Sequence, residues 1–243
     1  MKTQIKKQLW LLVGISLLST ALIFGQQDMK RHQGSLSFSA GYLNLDHSEF
    51  QMFLPNAFDD LSDHYALVGG SGYVMLGNLM LGASGQFIFG PTEKHGSREA
   101  EITGGMGFAN MGYAVINQER LKIFPMVGIG GAGMEMKLTH QGDIDRGEIL
   151  INPGSEMNLS VANFAFDFSA GLDFSPTWKV SENGKQGGGM NLGMRVGYIL
   201  GVGNKDWTYG GGEVTDGPDF GMRSFYVKVL VGTSGFMTRK KMK

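Results

Sequence analysis

The chain contains no cysteine, which removes disulfide frameworks, thiol chemistry and a lipoprotein anchor on an N-terminal cysteine. Charge is also scarce: Asp, Glu, Lys and Arg make up 18% of the residues, against roughly 25% in soluble domains. The net charge is only −1, so nothing in the electrostatics favours a nucleic-acid partner. Beyond residue 24 no segment has the length and uniform apolarity of a membrane helix. Any membrane residence of the mature chain must therefore come from strands. Sparse charge does not mean disorder here, because strongly apolar alternating runs recur along the chain.

What is present in excess is glycine, 39 of 243 residues, about twice the usual frequency. At the N-terminus Lys2, Lys6 and Lys7 precede an apolar run over residues 9–24 that ends in Gly25-Gln26-Gln27. A positive region, an apolar region and a small residue describe a secretory signal, with cleavage expected after Gly25 or after Ala21. A retained membrane anchor is the rival. The run is a little short of the ~20 residues a spanning helix needs, and no stop-transfer pattern follows. The remaining length suits one domain. The expected organisation is a signal peptide (1–25), a short periplasmic segment (26–34), a barrel (35–236) and a basic tail (237–243).

Residues 164–174 read Phe-Ala-Phe-Asp-Phe-Ser-Ala-Gly-Leu-Asp-Phe. Successive side chains of a strand point to opposite faces. One face thus carries Phe164, Phe166, Phe168, Ala170, Leu172 and Phe174, and the other Ala165, Asp167, Ser169, Gly171 and Asp173. Residues 190–200 repeat the pattern. A bulky apolar face backed by a small polar one, over about ten residues, is what a strand needs to cross a bilayer. Further strands are expected at 35–42, 66–76, 79–89, 99–115, 122–138 and 222–234, eight in all. Gly77-Asn78 forms a two-residue hairpin loop that sets Leu76 against Leu79 and Val68 against Phe87, with Tyr73 against Gly82 and Ser71 against Ser84 on the other side. In the fifth strand Ile123, Pro125, Val127 and Ile129 leave the first half apolar on both faces, which calls for a bulge or a greasy interior. Around Asn152-Pro153-Gly154, residues 148–151 and 157–161 suggest a small hairpin projecting beyond the barrel.

Short links alternate with longer polar ones, the pattern of a transmembrane up-and-down barrel with both ends in the periplasm. The structural rival is a soluble lipocalin-like barrel with the greasy face inside. Volume argues against it, because an eight-stranded interior is only just wide enough for side chains to fill it. Four phenylalanines, Met190, Leu192, Met194 and Tyr198 would crowd that space.

Asp167, Asp173, Arg195 and Lys228 fall on the polar faces of the last three strands, and arginine on the lipid side would cost about 2–4 kcal/mol. They are expected to face the lumen as a charge-balanced plug, the rival being a ligand or proton path. With Phe174 opposite Met190, Asp167 would sit diagonal to Arg195. The five histidines, His32, His47, His64, His95 and His140, are expected off the strands. Loop acids such as Asp59, Asp60, Asp63, Asp143, Asp145 and Glu148 lack metal-ligand spacing. No metal or other cofactor is expected. The glycine runs at 187–189 and 210–212 adjoin no helix, so they read as flexible turns and not as phosphate cradles.

In its signal peptide, hairpin order, lipid-face patterning and the segment Phe124-Pro125-Met126-Val127-Gly128-Ile129-Gly130-Gly131, the chain resembles the small eight-stranded outer-membrane β-barrels of Gram-negative bacteria (OmpX/OmpW-like). It departs from them at the C-terminus, where Phe236 is followed by seven residues, four of them basic. The resemblance implies location in the cell outer membrane, a monomer, and contact with outer-membrane lipid and lipopolysaccharide. It implies a structural or surface-interaction role, with the outer loops available to an extracellular protein. The alternatives are a binder or conduit for a small hydrophobic ligand, and a lipid-modifying enzyme. The family's lipid-modifying members place His and Ser on the barrel, and no histidine is expected inside a strand here.

Overall fold

The computed structural model describes residues 31–45, 63–95, 98–140, 156–176, 179–182, 186–202, 207–209, 212–213 and 222–238. Twelve strands form among them: β1 (Arg31–Leu45), β2 (His64–Leu76), β3 (Leu79–His95), β4 (Arg98–Tyr113), β5 (Ile116–Asn117), β6 (Leu121–His140), β7 (Glu156–Phe174), β8 (Lys179–Val180), β9 (Gln186–Val202), β10 (Thr208–Tyr209), β11 (Gly212–Glu213) and β12 (Arg223–Thr238). The eight long ones pair antiparallel in chain order, and β1 pairs with β12 to close the barrel. Closure leaves no unpaired sheet edge around the wall, the condition for crossing lipid with strands.

Alternation decides which face looks out. Phe38 is 81% exposed and Phe87 65%, and Phe168, Phe174, Met190 and Met194 are exposed too. The apolar face is therefore the outer one, and the inside-out, lipocalin-like arrangement does not occur. Along β1 to β12 the outward positions of this belt carry no charge. Among the described residues of the eight long strands, outward charges lie towards the long-loop end, at Glu99, Glu101, Glu135, Lys137 and Arg223, with Glu101 opposite Lys137.

Inside, the lumen is layered. Tyr73, Met75, Met80, Ala114, Phe124 and Met126 form an apolar cluster at the short-turn end. A polar belt crosses the middle. Above it lies a larger apolar cluster that includes Leu43, Leu45, Tyr65, Ile88, Ile102, Met136, Leu159 and Trp207. The usual alternation thus inverts along the barrel axis. At mid-depth the inside is polar and the outside apolar; beyond the belt the inside is apolar and the outside carries charge.

The β2–β3 register is the expected one, with Leu76 opposite Leu79, Tyr73 opposite Gly82 and Val68 opposite Phe87. Gly77 takes φ +63°, a region open to glycine at no steric cost. In β6, Phe124 and Met126 point inward and are buried while Val127 and Ile129 point out. The greasy interior, and not a bulge, is what makes that stretch apolar on both faces, since the β6 ladders run without a register shift. The irregularity falls instead in β3, between Phe89 and Thr92, close to where the outward face changes from apolar to charged.

Several expectations need correction. The strands are longer than their apolar cores, because pairing continues past the belt at both ends. β1 begins inside the 26–34 segment and β12 runs two residues into the 237–243 tail, Arg31 facing Thr238. The expected hairpin in the third long loop is not formed as drawn: Met157–Val161 is the upper part of β7 and pairs with Leu138–Met134 of β6. Its other half, 148–151, lies outside the described residues, as do 1–30 with the signal region. Gly187, Gly188 and Gly189 are in β9, where a Cβ on Gly187 would lie 2.3 Å from the Phe236 ring. These glycines make room for an inward aromatic side chain. His32, His64, His95 and His140 belong to strand ends, not to loops; His47 is outside the described residues.

Candidate functional site: a polar belt across the lumen

Strand parity places Asp167 and Asp173 of β7, Arg195 of β9 and Lys228 of β12 in the lumen, and all four are buried. Arg195 Nη1 donates to Asp173 Oδ1 at 2.6 Å. The other carboxylate oxygen, Oδ2, accepts from Tyr73 Oη at 2.6 Å across the barrel from β2. The guanidinium also lies over the Phe124 ring, 4.5 Å from its centroid, and donates to the Leu172 and Met194 carbonyls at 3.2 and 3.0 Å. A charge taken out of water is tolerable only with such partners.

The pairing differs from the expected one. Phe174 stands opposite Leu192 and not Met190, so Asp167 faces Ile199 and Arg195 faces Gly171. The two-residue shift has a steric cause. It sets Arg195 and Asp173 each against a glycine: a Cβ on Gly171 would come within 2.7 Å of Arg195 Cδ, and one on Gly193 within 2.6 Å of Asp173 Oδ1. Asp167 instead accepts from Tyr226 Oη at 2.9 and 3.1 Å. Lys228 Nζ lies 4.8 Å from the centroid of the same tyrosine ring, and Lys228 and Asp167 line one cavity. Lys228 is also the direct cross-strand neighbour of Arg195. Two like charges in that position are destabilising unless carboxylates offset them, and the belt supplies one for each.

Sequence reasoning missed the two tyrosines that complete the belt. Each puts its ring in an apolar cluster and its hydroxyl on a carboxylate, which suits an amphipathic aromatic side chain. The signal was available in part, since Tyr73 shares its face with Ser71 and Gly69. The belt also holds Gln86, whose Oε1 accepts from Ser39 Oγ at 3.1 Å, and Asn110, whose Nδ2 donates to Ser84 Oγ at 3.0 Å. The space left between these groups is about 20 Å³, room for about one water. Below the belt, Ser175 bonds Asn191 and Ser234, and Lys122 is buried at the same end.

For catalysis a nucleophile, a base and an orienting group must converge. Among the described histidines, His64 Nδ1 is bonded to the Tyr42 hydroxyl near the outer rim. Among the described residues there is no group of three or more His, Asp or Glu able to hold a metal ion.

No protein-family model matches the sequence, and no curated protein matches it. Among solved structures it is similar to Ail, the attachment invasion locus protein of Yersinia pestis, at 9% identity over 86% of this chain and 100% of that one, with a TM-score of 0.43. It is also similar to Neisserial surface protein A, at 9% identity over 86% and 97% with a TM-score of 0.37. A third is the outer membrane protein OprG from Pseudomonas aeruginosa, at 9% identity over 86% and 97% with a TM-score of 0.35. At such identities the likeness is one of fold, and no residue's role transfers with it.

Proposed function

We propose that this chain is an outer-membrane barrel with a blind lumen, working through its outer surface and not as a channel. The observation that carries the reading is the polar belt: Asp173, Arg195, Tyr73, Asp167, Tyr226 and Lys228 fill the barrel at mid-depth and leave about 20 Å³ between them. Apolar clusters close the lumen on either side. Inward polar groups that satisfy one another are what a narrow barrel needs to stay shut. Rigid walls then leave the loops as the surface for recognition. Lipopolysaccharide and an extracellular protein are the partners that fit a monomer so placed.

Two measurements test this. Reconstituted barrel in planar bilayers should give no steady conductance, and an ohmic, ion-selective current would overturn the blind lumen. Cells carrying a chain that lacks residues 142–155 should assemble the barrel normally but bind host surfaces or lipopolysaccharide less well. Normal assembly with unchanged binding would remove the loop from the recognition surface.

One observation favours a second reading, a binder of a small hydrophobic ligand. The outer half of the lumen is lined by Leu43, Leu45, Ile88, Ile102, Met136 and Leu159, in the part of the barrel whose outside is charged. An apolar interior above a polar floor suits a ligand held within the outer mouth, and the belt argues against a conduit running through to the periplasm. Retention of a radiolabelled fatty acid by the purified protein is the test.

A further inference from the structure

Two buried groups of the polar belt direct unanswered hydrogen-bonding capacity at the same space. Lys228 is 6% exposed. Its ammonium meets the face of the Tyr226 ring, and among the described residues no acceptor lies within hydrogen-bond distance of it. Asn110 is 8% exposed. Its Nδ2 donates to Ser84 Oγ and to the Phe108 carbonyl at 3.0 and 3.4 Å, while its Oδ1 has no partner among the described residues. Such groups are costly in an interior, the ammonium more so than the amide. The two residues sit on β12 and β4, opposite each other in the ring of eight long strands. Both line one cavity of about 20 Å³, together with Ser71, Ser84, Asp167 and Ser169. Every residue that lines it belongs to a long wall strand.

We propose that this cavity is a binding site for a single water molecule, which accepts from Lys228 Nζ and donates to Asn110 Oδ1 and to the Asp167 carboxylate. The lining selects that ligand. Lys228 and Arg195 repel a cation, and Asp167 repels an anion. Donors and acceptors face the space together, so its occupant must both give and take hydrogen bonds. The volume admits about one water, and a buried water with two to four polar partners is held as part of a fold. The site goes beyond the blind lumen and does not depend on how the outer surface is used. It changes what the belt is. Lys228 and Asp167 form no direct ion pair, and the water completes their pairing from between them. The same molecule ties Asn110 and Ser84 on one wall to Asp167 and Tyr226 on the other. The lumen is then crossed by one hydrogen-bonded chain and not by separate pairs.

Two measurements on the full-length protein, purified from outer membranes in detergent, test the site. Crystals are grown in chloride and again with bromide in its place. One oxygen-sized density peak within hydrogen-bond distance of Lys228 Nζ and Asn110 Oδ1, with no anomalous signal in bromide, is the expected result. An anomalous bromide peak would make this a halide site and overturn the proposal. No density in the cavity, or a file of peaks running through the belt, would overturn it as well. The second measurement needs no crystals. Oxygen-17 relaxation dispersion counts the long-lived internal waters of the folded barrel, folding being checked by the shift in gel mobility on heating. Ser71→Val adds carbon to the cavity and should lower that count by one, whereas Ser71→Ala leaves the space and should keep it. An unchanged count in Ser71→Val would overturn the site, and so would an equal drop in both variants.

Discussion

At the scale of the residue, the belt is held by pairings that each need both members. Removing the carboxylate of Asp173 leaves Arg195 charged and buried and takes the acceptor from Tyr73. Asp173→Ala should therefore cost about 3–5 kcal/mol, as expected for an uncompensated buried charge, read as a lower midpoint in urea unfolding from lipid vesicles. Asp173→Leu with Arg195→Met removes both charges and should recover most of that loss. If the double variant is as unstable as the single one, the loss is one of packing and not of charge. Glycines give a second contrast. A Cβ at Gly197 would sit 2.6 Å from the Tyr226 ring and hydroxyl, whereas the nearest atom to a Cβ at Gly85, on the lipid face, is 4.0 Å away. Gly197→Ala should cost about 1–3 kcal/mol by overpacking and weaken the bond to Asp167, while Gly85→Ala should stay within about 0.5 kcal/mol. The inward placement of Asp167, Asp173, Arg195 and Lys228 was legible in the sequence because face assignment depends only on strand parity. Their partners were not, because a two-residue slip preserves the faces and changes every neighbour.

At the scale of the element, legibility followed the turns. The β2–β3 register was readable from Gly77-Asn78 alone, since a two-residue loop fixes which residues face each other. The β7–β9 link is long and includes β8, which pairs with Gly187 and Gly188 of β9. No loop-length rule sets that register; the glycines opposite Arg195 and Asp173 do. Strand ends were misjudged for a different reason. The alternation was read as polar-in and apolar-out, so residues such as Met157–Val161, where it inverts, fell outside the strand pattern. The tight turn itself makes a prediction. Gly77 has a φ of +63°, and Asn117 Nδ2 donates to its carbonyl and to Asn78 Oδ1. Gly77→Val should cost about 1–2 kcal/mol from left-handed strain, and Gly77→Asn clearly less, since asparagine tolerates that conformation. Equal losses for the two, measured by the same urea unfolding, would mean that the turn carries no backbone strain.

At the scale of the whole molecule, the inversion of the in–out pattern sets where water, lipid and protein interior meet. Phe168 of β7 and Met194 of β9 are exposed on the uncharged belt, so lipid is their solvent. Glu101 of β4 is exposed and points outward too, but it lies opposite Lys137 beyond the belt; a charge there is affordable only in water, because the cost of an outward charge falls from about 2–4 kcal/mol at the bilayer midplane towards nothing at the interface. Ser71 of β2 points into the lumen beside Asp167 and Lys228. Single-cysteine variants at these four sites carry no background from native thiols and separate three environments. Fluorophores at Phe168→Cys and Met194→Cys should be quenched by nitroxide lipids in reconstituted vesicles. On intact cells Glu101→Cys should react with a membrane-impermeant maleimide and escape lipid quenching. Ser71→Cys should show neither behaviour, because the belt shields it from above and the wall from the side. Lipid quenching at Glu101 would mean that the barrel sits deeper than the charge pattern requires. Rapid maleimide labelling at Ser71 would mean that the outer half of the lumen is open to water, and the blind, apolar interior proposed for this chain would not survive it.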